Sequence, residues 1–192
     1  MRHYLETVTT YITTHKQQLT VDAIASVCAI MFGALFLYNQ PHPPKLAYQP
    51  TKACDMLTPN KAMDILGNEV ISTDANAPVI ASDTETATSR CSYTDKNADG
   101  SAMQSLAISV RSATNSAGIT QNESEFSGHK KNVVHREDIT GLGKTAYFDE
   151  DLGLLHILTN KQWIMLSYKT GQTLESKPVS DVVSLARKVL SN

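Results

Sequence analysis

The stretch 103-MQSLAISVR-111 decides the fold class of the chain. Its apolar residues Leu106, Ile108 and Val110 alternate with smaller or polar ones. Successive side chains of a strand point to opposite faces, so this period of two predicts a half-buried strand. Turn-forming residues precede it at 95-DKNADG-100 and separate it from an earlier strand candidate. We therefore expect a sheet to be built around this stretch.

Strands are also predicted on both sides of it, and they are connected by loops and turns. They lie at 69–72, 89–94, 133–139, 145–149, 154–159 and 162–169, with a loop at 73–88. The Asn160-Lys161 junction between the last two strands is typical of a tight hairpin.

Helices are predicted before, within and after the strands. The first begins at Thr58-Pro59, where a hydroxyl cap precedes a proline in the first turn, and it ends at Gly67. A weak helix is expected at 115–131, and a helix with one apolar stripe at 177–190. Helices flanking an antiparallel sheet define an α+β domain.

An uninterrupted apolar run extends from Ala23 to Tyr38, near the N-terminus. With the preceding residues it forms a segment, 19–38, of about 20 residues, and a helix of about 30 Å matches the hydrocarbon core of a bilayer. A cleaved signal peptide would need small residues after the run, where Tyr38-Asn39-Gln40-Pro41 stands. Cys28 lies in the middle of the run, which disfavours lipid attachment there. We predict one uncleaved transmembrane helix.

The chain is thus divided into four parts. Residues 1–18 form an N-terminal tail, 19–38 the transmembrane anchor, 39–52 a proline-rich spacer and 53–192 the α+β domain. Its net charge of −2, with scattered lysines and arginines, argues against a nucleic-acid partner.

Cys54 and Cys91 are the only cysteines outside the apolar run. In an exported domain such a pair indicates one disulfide, whereas in the cytosol the two would be free thiols. Positive charges on the two sides of the anchor barely discriminate its orientation. The cysteine pair favours a cytoplasmic N-terminus and an extracytoplasmic domain at the cell membrane.

Four short motifs occur in a fixed order: 54-CDMLTP-59, 66-LG-67, 91-CSY-93 and 141-GLGKTAY-147. Together they resemble an uncharacterised family of actinobacterial-type cell-envelope lipoproteins, over about residues 54–190. The resemblance implies a disulfide between Cys54 and Cys91, a PsbP-like fold and an extracytoplasmic setting. The chain departs from the family because a membrane helix replaces the lipid anchor. The family supplies no catalytic residues.

Two patterns bear on metal or phosphate binding. Asp95, Asn97 and Asp99 match the first half of a calcium loop, but Leu106 stands where the bidentate glutamate is needed, so a simple turn is favoured. The 143-GKT-145 triplet lacks the first glycine of a phosphate loop, and a turn at Gly141 and Gly143 is favoured instead.

The histidines and the tryptophan offer further candidates. His129, His135 and His156 do not have the spacing of a zinc site on one helix. His135 and His156 could meet across strands, near Asp149, Glu150 or Asp151, but solvated histidines are the commoner outcome. Trp163 lies in an apolar strand and is expected in the core.

These observations predict no catalytic residue, no cofactor and no metal. The function expected is a membrane-anchored, non-catalytic module that binds another envelope protein. The alternatives are a small-ligand or lipid carrier and a hydrolase based on His135 or His156 with Asp149.

Overall fold

The computed structural model describes residues 47–72, 77–80, 85–95, 103–171 and 173–191. Within these ranges no helix is long and apolar enough to cross a membrane. The predicted tail and anchor, and the spacer as far as residue 46, lie outside them. Every element described below lies in one compact unit, Leu46–Asn192.

The domain contains four helices and nine strands in its described part. The helices are α1 (Ala53–Met56), α2 (Pro59–Leu66), α3 (Ser116–Asn132) and α4 (Val179–Leu190). The strands are β1 (Val70–Ser72), β2 (Val79–Ile80), β3 (Thr86–Asp95), β4 (Gln104–Ala113), β5 (Arg136–Ile139), β6 (Thr145–Asp149), β7 (Leu154–Leu158), β8 (Gln162–Thr170) and β9 (Glu175–Ser176). The main path of the sheet is β1-β3-β4-β8-β7-β6-β5, and all its pairs are antiparallel.

The predicted α+β class is therefore confirmed, and most element ends agree with the local signals. Thr58 caps α2 by accepting the backbone N–H of Lys61, and Gly67 ends it in the left-handed conformation at φ 78°. The predicted loop at 73–88 is wrong in part. It contains β2, and β3 already begins at Thr86, because Thr86 to Thr94 pair continuously with β4.

The two faces of the sheet carry different layers. The larger apolar core joins one face to α1, α2 and α4; its fully buried members include Leu57, Leu106, Ile108, Leu155, Ile164 and Leu185. Alternate strand residues point to the opposite face, where Phe126 of α3 packs with Tyr147, Leu158 and Trp163. Trp163 is buried, so its predicted place in the core is confirmed.

The predicted disulfide is present and joins α1 to β3. Cys54 and Cys91 are 37 residues apart in the chain, and their Cα atoms are 5.2 Å apart. Hydrogen bonds hold the segment around it: the backbone N–H of Ala53 donates to Ser89 Oγ, and that of Thr51 to Ser112 Oγ. The last residues of the predicted spacer are thus attached to the sheet.

Candidate functional site

The register of five strands aligns a row of side chains on the face that carries α3. Arg90 of β3 is opposite Ser109 of β4, which is opposite Met165 of β8. Met165 is in turn opposite His156 of β7, and His156 is opposite Tyr147 of β6. One row therefore connects an exposed cation at one side of the sheet with a buried aromatic group at the other.

One half of this row lies in an open groove of about 350 Å³. Its floor is built largely of small side chains, Ser92, Ala107, Ser109 and Ser167, with Leu154 and Met165 beside them. Small residues leave the sheet surface low here, whereas α3 covers the neighbouring positions Arg111 and Trp163. The groove is thus the part of this face that the helix leaves open.

Arg90 is a polar group of the groove that a partner can reach. It is exposed and forms no salt bridge among the described residues. Ser109 Oγ, by contrast, is buried and has no hydrogen-bond partner in the same part of the chain, so it is not accessible from the groove.

The other half of the row belongs to a cluster of rings beneath α3. The rings of Tyr147 and His156 are stacked, with centroids 4.7 Å apart and planes 7° apart. His129, in the last turn of α3, lies over them, with its centroid 4.8 Å from that of His156. Its Nδ1 is 2.6 Å from Tyr147 Oη. Trp163 Nε1 donates to His156 Nδ1 at 3.2 Å.

The hydrogen bond from Trp163 determines the protonation of His156. An indole N–H can only donate, so Nδ1 must carry a lone pair and the proton of the neutral ring lies on Nε2. That Nε2 is buried and has no partner among the described residues. Burial, followed by the nearby His129, lowers the pKa of His156 to about 4, so the ring is neutral at pH 7. Burial also raises the pKa of Tyr147, which keeps its hydroxyl protonated.

A buried carboxylate completes the cluster. Asp149, at the end of β6, is 3% exposed and accepts the backbone N–H of Leu152 at 3.0 Å. One ligand atom each of His129, Asp149 and His156 can be chosen so that all three lie within 4.8 Å of one another. Two imidazoles and one carboxylate are a set of donors that transition-metal ions bind.

His135 does not meet His156; such a meeting is the less favoured of the two interpretations of the sequence. The expected solvent exposure is found for His135, whereas His156 is buried. The Nδ1 of His135 lies 2.9 Å from Asp151 Oδ1. The hydrogen bond with Asp151 raises the pKa of the His135 imidazole. His135 stands just before β5, and β6 lies between that strand and β7. The sequence reasoning missed His129 as the neighbour of His156, because no local pattern connects a helix terminus with a distant strand.

The other sequence candidates have simpler roles in the described region. Asp95 accepts a hydrogen bond from Asn68 Nδ2 at 2.7 Å, while the rest of the calcium-like triplet lies outside the described residues. Gly141 and Gly143 have φ angles of 77° and 58°, as the predicted turn requires. Lys144 Nζ forms a salt bridge with Glu123 Oε1 of α3 at 2.9 Å.

Comparison of the chain with protein-family models, curated proteins and solved structures gave no significant match. The resemblance to envelope lipoproteins and to the PsbP-like fold therefore stays a prediction.

Proposed function

We propose that this chain is a single-pass, membrane-anchored envelope protein whose exported domain binds another envelope protein without catalysis. The observation that carries the proposal is the groove that α3 leaves open on the sheet. The predicted anchor at 19–38 would hold the domain at the membrane, and the disulfide between Cys54 and Cys91 suits an oxidising compartment.

The groove has the mixed surface that a protein partner requires. Ala107, Leu154 and Met165 offer apolar contacts, and the exposed guanidinium of Arg90 is available for a carboxylate or a backbone carbonyl. Apolar anchors in such a depression and polar contacts at its rim form the usual pattern of a binding interface. An acidic or carbonyl-rich segment of the partner would complement Arg90.

The buried histidine is poorly placed for a catalytic role. His156 is 1% exposed and its Nδ1 already accepts the Trp163 N–H. A general base must reach the proton that it removes from a substrate. Because His156 is buried and its Nδ1 is already hydrogen-bonded, it is poorly placed to act as a general base. The exposed pair of His135 and Asp151 does not line the groove.

A small-ligand or lipid carrier is the second candidate function, and the same groove supports it. Its volume of about 350 Å³ falls within the range of ligand pockets, about 300–1,000 Å³. Such a ligand would lie on the outer face of the sheet, because side chains such as Leu106 and Leu185 fill the interface with α2 and α4.

In-cell photo-crosslinking tests the proposal. A photoreactive amino acid replaces Ala107 or Ser167 in the groove of the full-length protein, and Ser180, exposed on α4, serves as the control position. We expect one protein adduct of defined mass from the groove positions and none from Ser180. Equal adducts from all positions, or no protein adduct from the groove, would contradict a protein-binding role.

A second variant separates the two candidate functions. Ser167→Trp fills the groove, and Ser180→Trp places the same side chain on an exposed helix surface. For a protein-binding groove, Ser167→Trp abolishes the adduct at Ala107 while Ser180→Trp preserves it. If the partner is a lipid or another small molecule, mass spectrometry of the purified full-length protein instead detects a bound compound, which Ser167→Trp removes.

A further inference from the structure

Three potential metal ligands converge beneath α3 from separate elements. His129 comes from the last turn of that helix, Asp149 from the end of β6 and His156 from the middle of β7. Their chosen ligand atoms lie within 4.8 Å of one another, and Asp149 and His156 are both buried. The sheet pairing of β6 with β7 keeps these two strands adjacent.

Within the described part of the chain, two buried groups of this cluster lack an interaction partner: one lacks a counter-charge and the other a hydrogen bond at one ring nitrogen. The Asp149 carboxylate accepts the N–H of Leu152 but forms no salt bridge among the described residues. His156 Nε2 has no hydrogen-bond partner in the same part of the chain. A buried carboxylate without a counter-charge is costly, and so is a buried polar nitrogen without a partner. One cation placed among the three residues would relieve both.

We propose that His129, Asp149 and His156 bind a divalent transition-metal ion, with Zn²⁺ as the best fit. Two imidazole nitrogens and one carboxylate oxygen suit a borderline-soft ion, and a hard ion such as Ca²⁺ would require more oxygen ligands. The site is separate from the groove used for the proposed binding function, so the two proposals stand or fall independently.

One ring nitrogen of His129 already faces a neighbouring oxygen. Its Nδ1 faces Tyr147 Oη at 2.6 Å, which leaves Nε2 available for coordination. An imidazole that binds a metal through one nitrogen usually has its other nitrogen bonded to a neighbouring oxygen. Tyr147 is fully buried and would supply that oxygen.

Metal binding requires one rearrangement at His156. Coordination through Nε2 transfers the proton of the neutral ring from Nε2 to Nδ1, with no net change in protons. Nδ1 then ceases to accept the Trp163 N–H, and the indole must turn away. The free energy lost with one neutral hydrogen bond is small compared with that gained from a set of bonds to zinc. Metal coordination is therefore favoured over the hydrogen bond from Trp163. The ligands must also approach by roughly 1.5 Å, because zinc bonds of about 2.0–2.1 Å place ligand atoms roughly 3.3 Å apart.

Trp163 provides the readout, since it is the only tryptophan in the chain. The full-length protein, purified in detergent without a polyhistidine tag and treated with a chelator, is titrated with ZnSO₄. We expect saturable binding of one ion per chain by calorimetry, with a change in tryptophan emission that saturates at the same ratio. Absence of saturable binding at 100-fold excess metal overturns the proposal.

Matched variants assign the binding to this cluster. Asp149→Asn keeps the oxygen that Leu152 contacts but removes the charge, and His129→Gln alters a partly exposed helix position. Each is expected to weaken the zinc Kd by at least about 10-fold, since losing even a supporting residue has that effect. His135→Gln, at an exposed histidine outside the cluster, should leave the Kd unchanged. Equal affinities in all four proteins, or a loss confined to His135→Gln, would overturn the assignment.

Discussion

The disulfide between Cys54 and Cys91 should contribute a large share of the stability of the domain. It attaches α1 to a central part of β3, and Cys91 is completely buried. A hydrogen bond from the Ala53 N–H to Ser89 Oγ also joins α1 to the sheet. Removing the cross-link frees the intervening residues in the unfolded chain. The resulting gain in entropy favours unfolding.

The magnitude follows from the length of the closed loop. For a separation of 37 residues, the loop-entropy relation gives about 4 kcal/mol at 25 °C. Domains typically have a free energy of unfolding of about 5–15 kcal/mol, so this loss is between a quarter and most of the total. For a domain of this size it corresponds to a fall in Tm of roughly 8–16 °C.

The perturbation is the double variant Cys54→Ala with Cys91→Ala. Alanine is preferred to serine because Cys91 is completely buried, and a hydroxyl there would add a separate desolvation cost. The control is Cys28→Ala, which leaves the disulfide intact. Free energies of unfolding are measured by urea denaturation of the full-length proteins. A loss below about 1 kcal/mol, or alkylation of Cys91 in the unreduced native protein, would refute the reasoning.

Two further predictions concern a turn and a surface ion pair. Gly141→Ala should lower the free energy of unfolding by about 1 kcal/mol, because alanine is strained at this positive φ. Gly143→Ala should lower it by roughly 1–3 kcal/mol more, because the added Cβ would lie 2.5 Å from the backbone oxygen of Leu158. Thermal unfolding of the two variants checks this, and equal losses would contradict it. The hydrogen bond from Arg111 lowers the pKa of Glu125 below its ordinary 4.5, so its stabilisation is present above pH 4.5 and disappears as the pH falls through the lowered pKa. Since the pair is partly exposed, Glu125→Gln should lower the free energy of unfolding by less than about 1 kcal/mol at pH 7, as measured by urea denaturation. This loss should shrink as the pH falls below 4.5, and a loss that does not depend on pH would count against this ion pair.

Much of the secondary structure was predictable from local signals. The alternation around Ile108 defines β4, and the cap at Thr58 with the glycine at 67 defines both ends of α2. The hairpin between β7 and β8 occurs where Asn160 and Lys161 indicate it. These features depend on neighbouring residues, whose backbone preferences and side-chain caps act over a few positions. The pair of cysteines indicated a disulfide only in combination with an exported setting, since in the cytosol the two would be free thiols.

Only the tertiary structure decided which of these elements meet. β2 and β9 each pair over two residues, so they exist through contact with β3 and β8 and have no local signal. The groove depends on β4 lying beside β8, which follows it by some fifty positions in the chain.

The same distinction applies to the histidines. His135 and His129 are close in the chain, yet only His129 reaches His156, because α3 crosses the face of the sheet that carries β7 while His135 precedes an outer strand. The sequence by itself determined the α+β class, the apolar run that predicts an anchor and most element ends, since these arise from short-range periodicity. The open groove and the His129–Asp149–His156 cluster were decided by strand order and by the packing of α3, since these bring together residues that no local pattern connects.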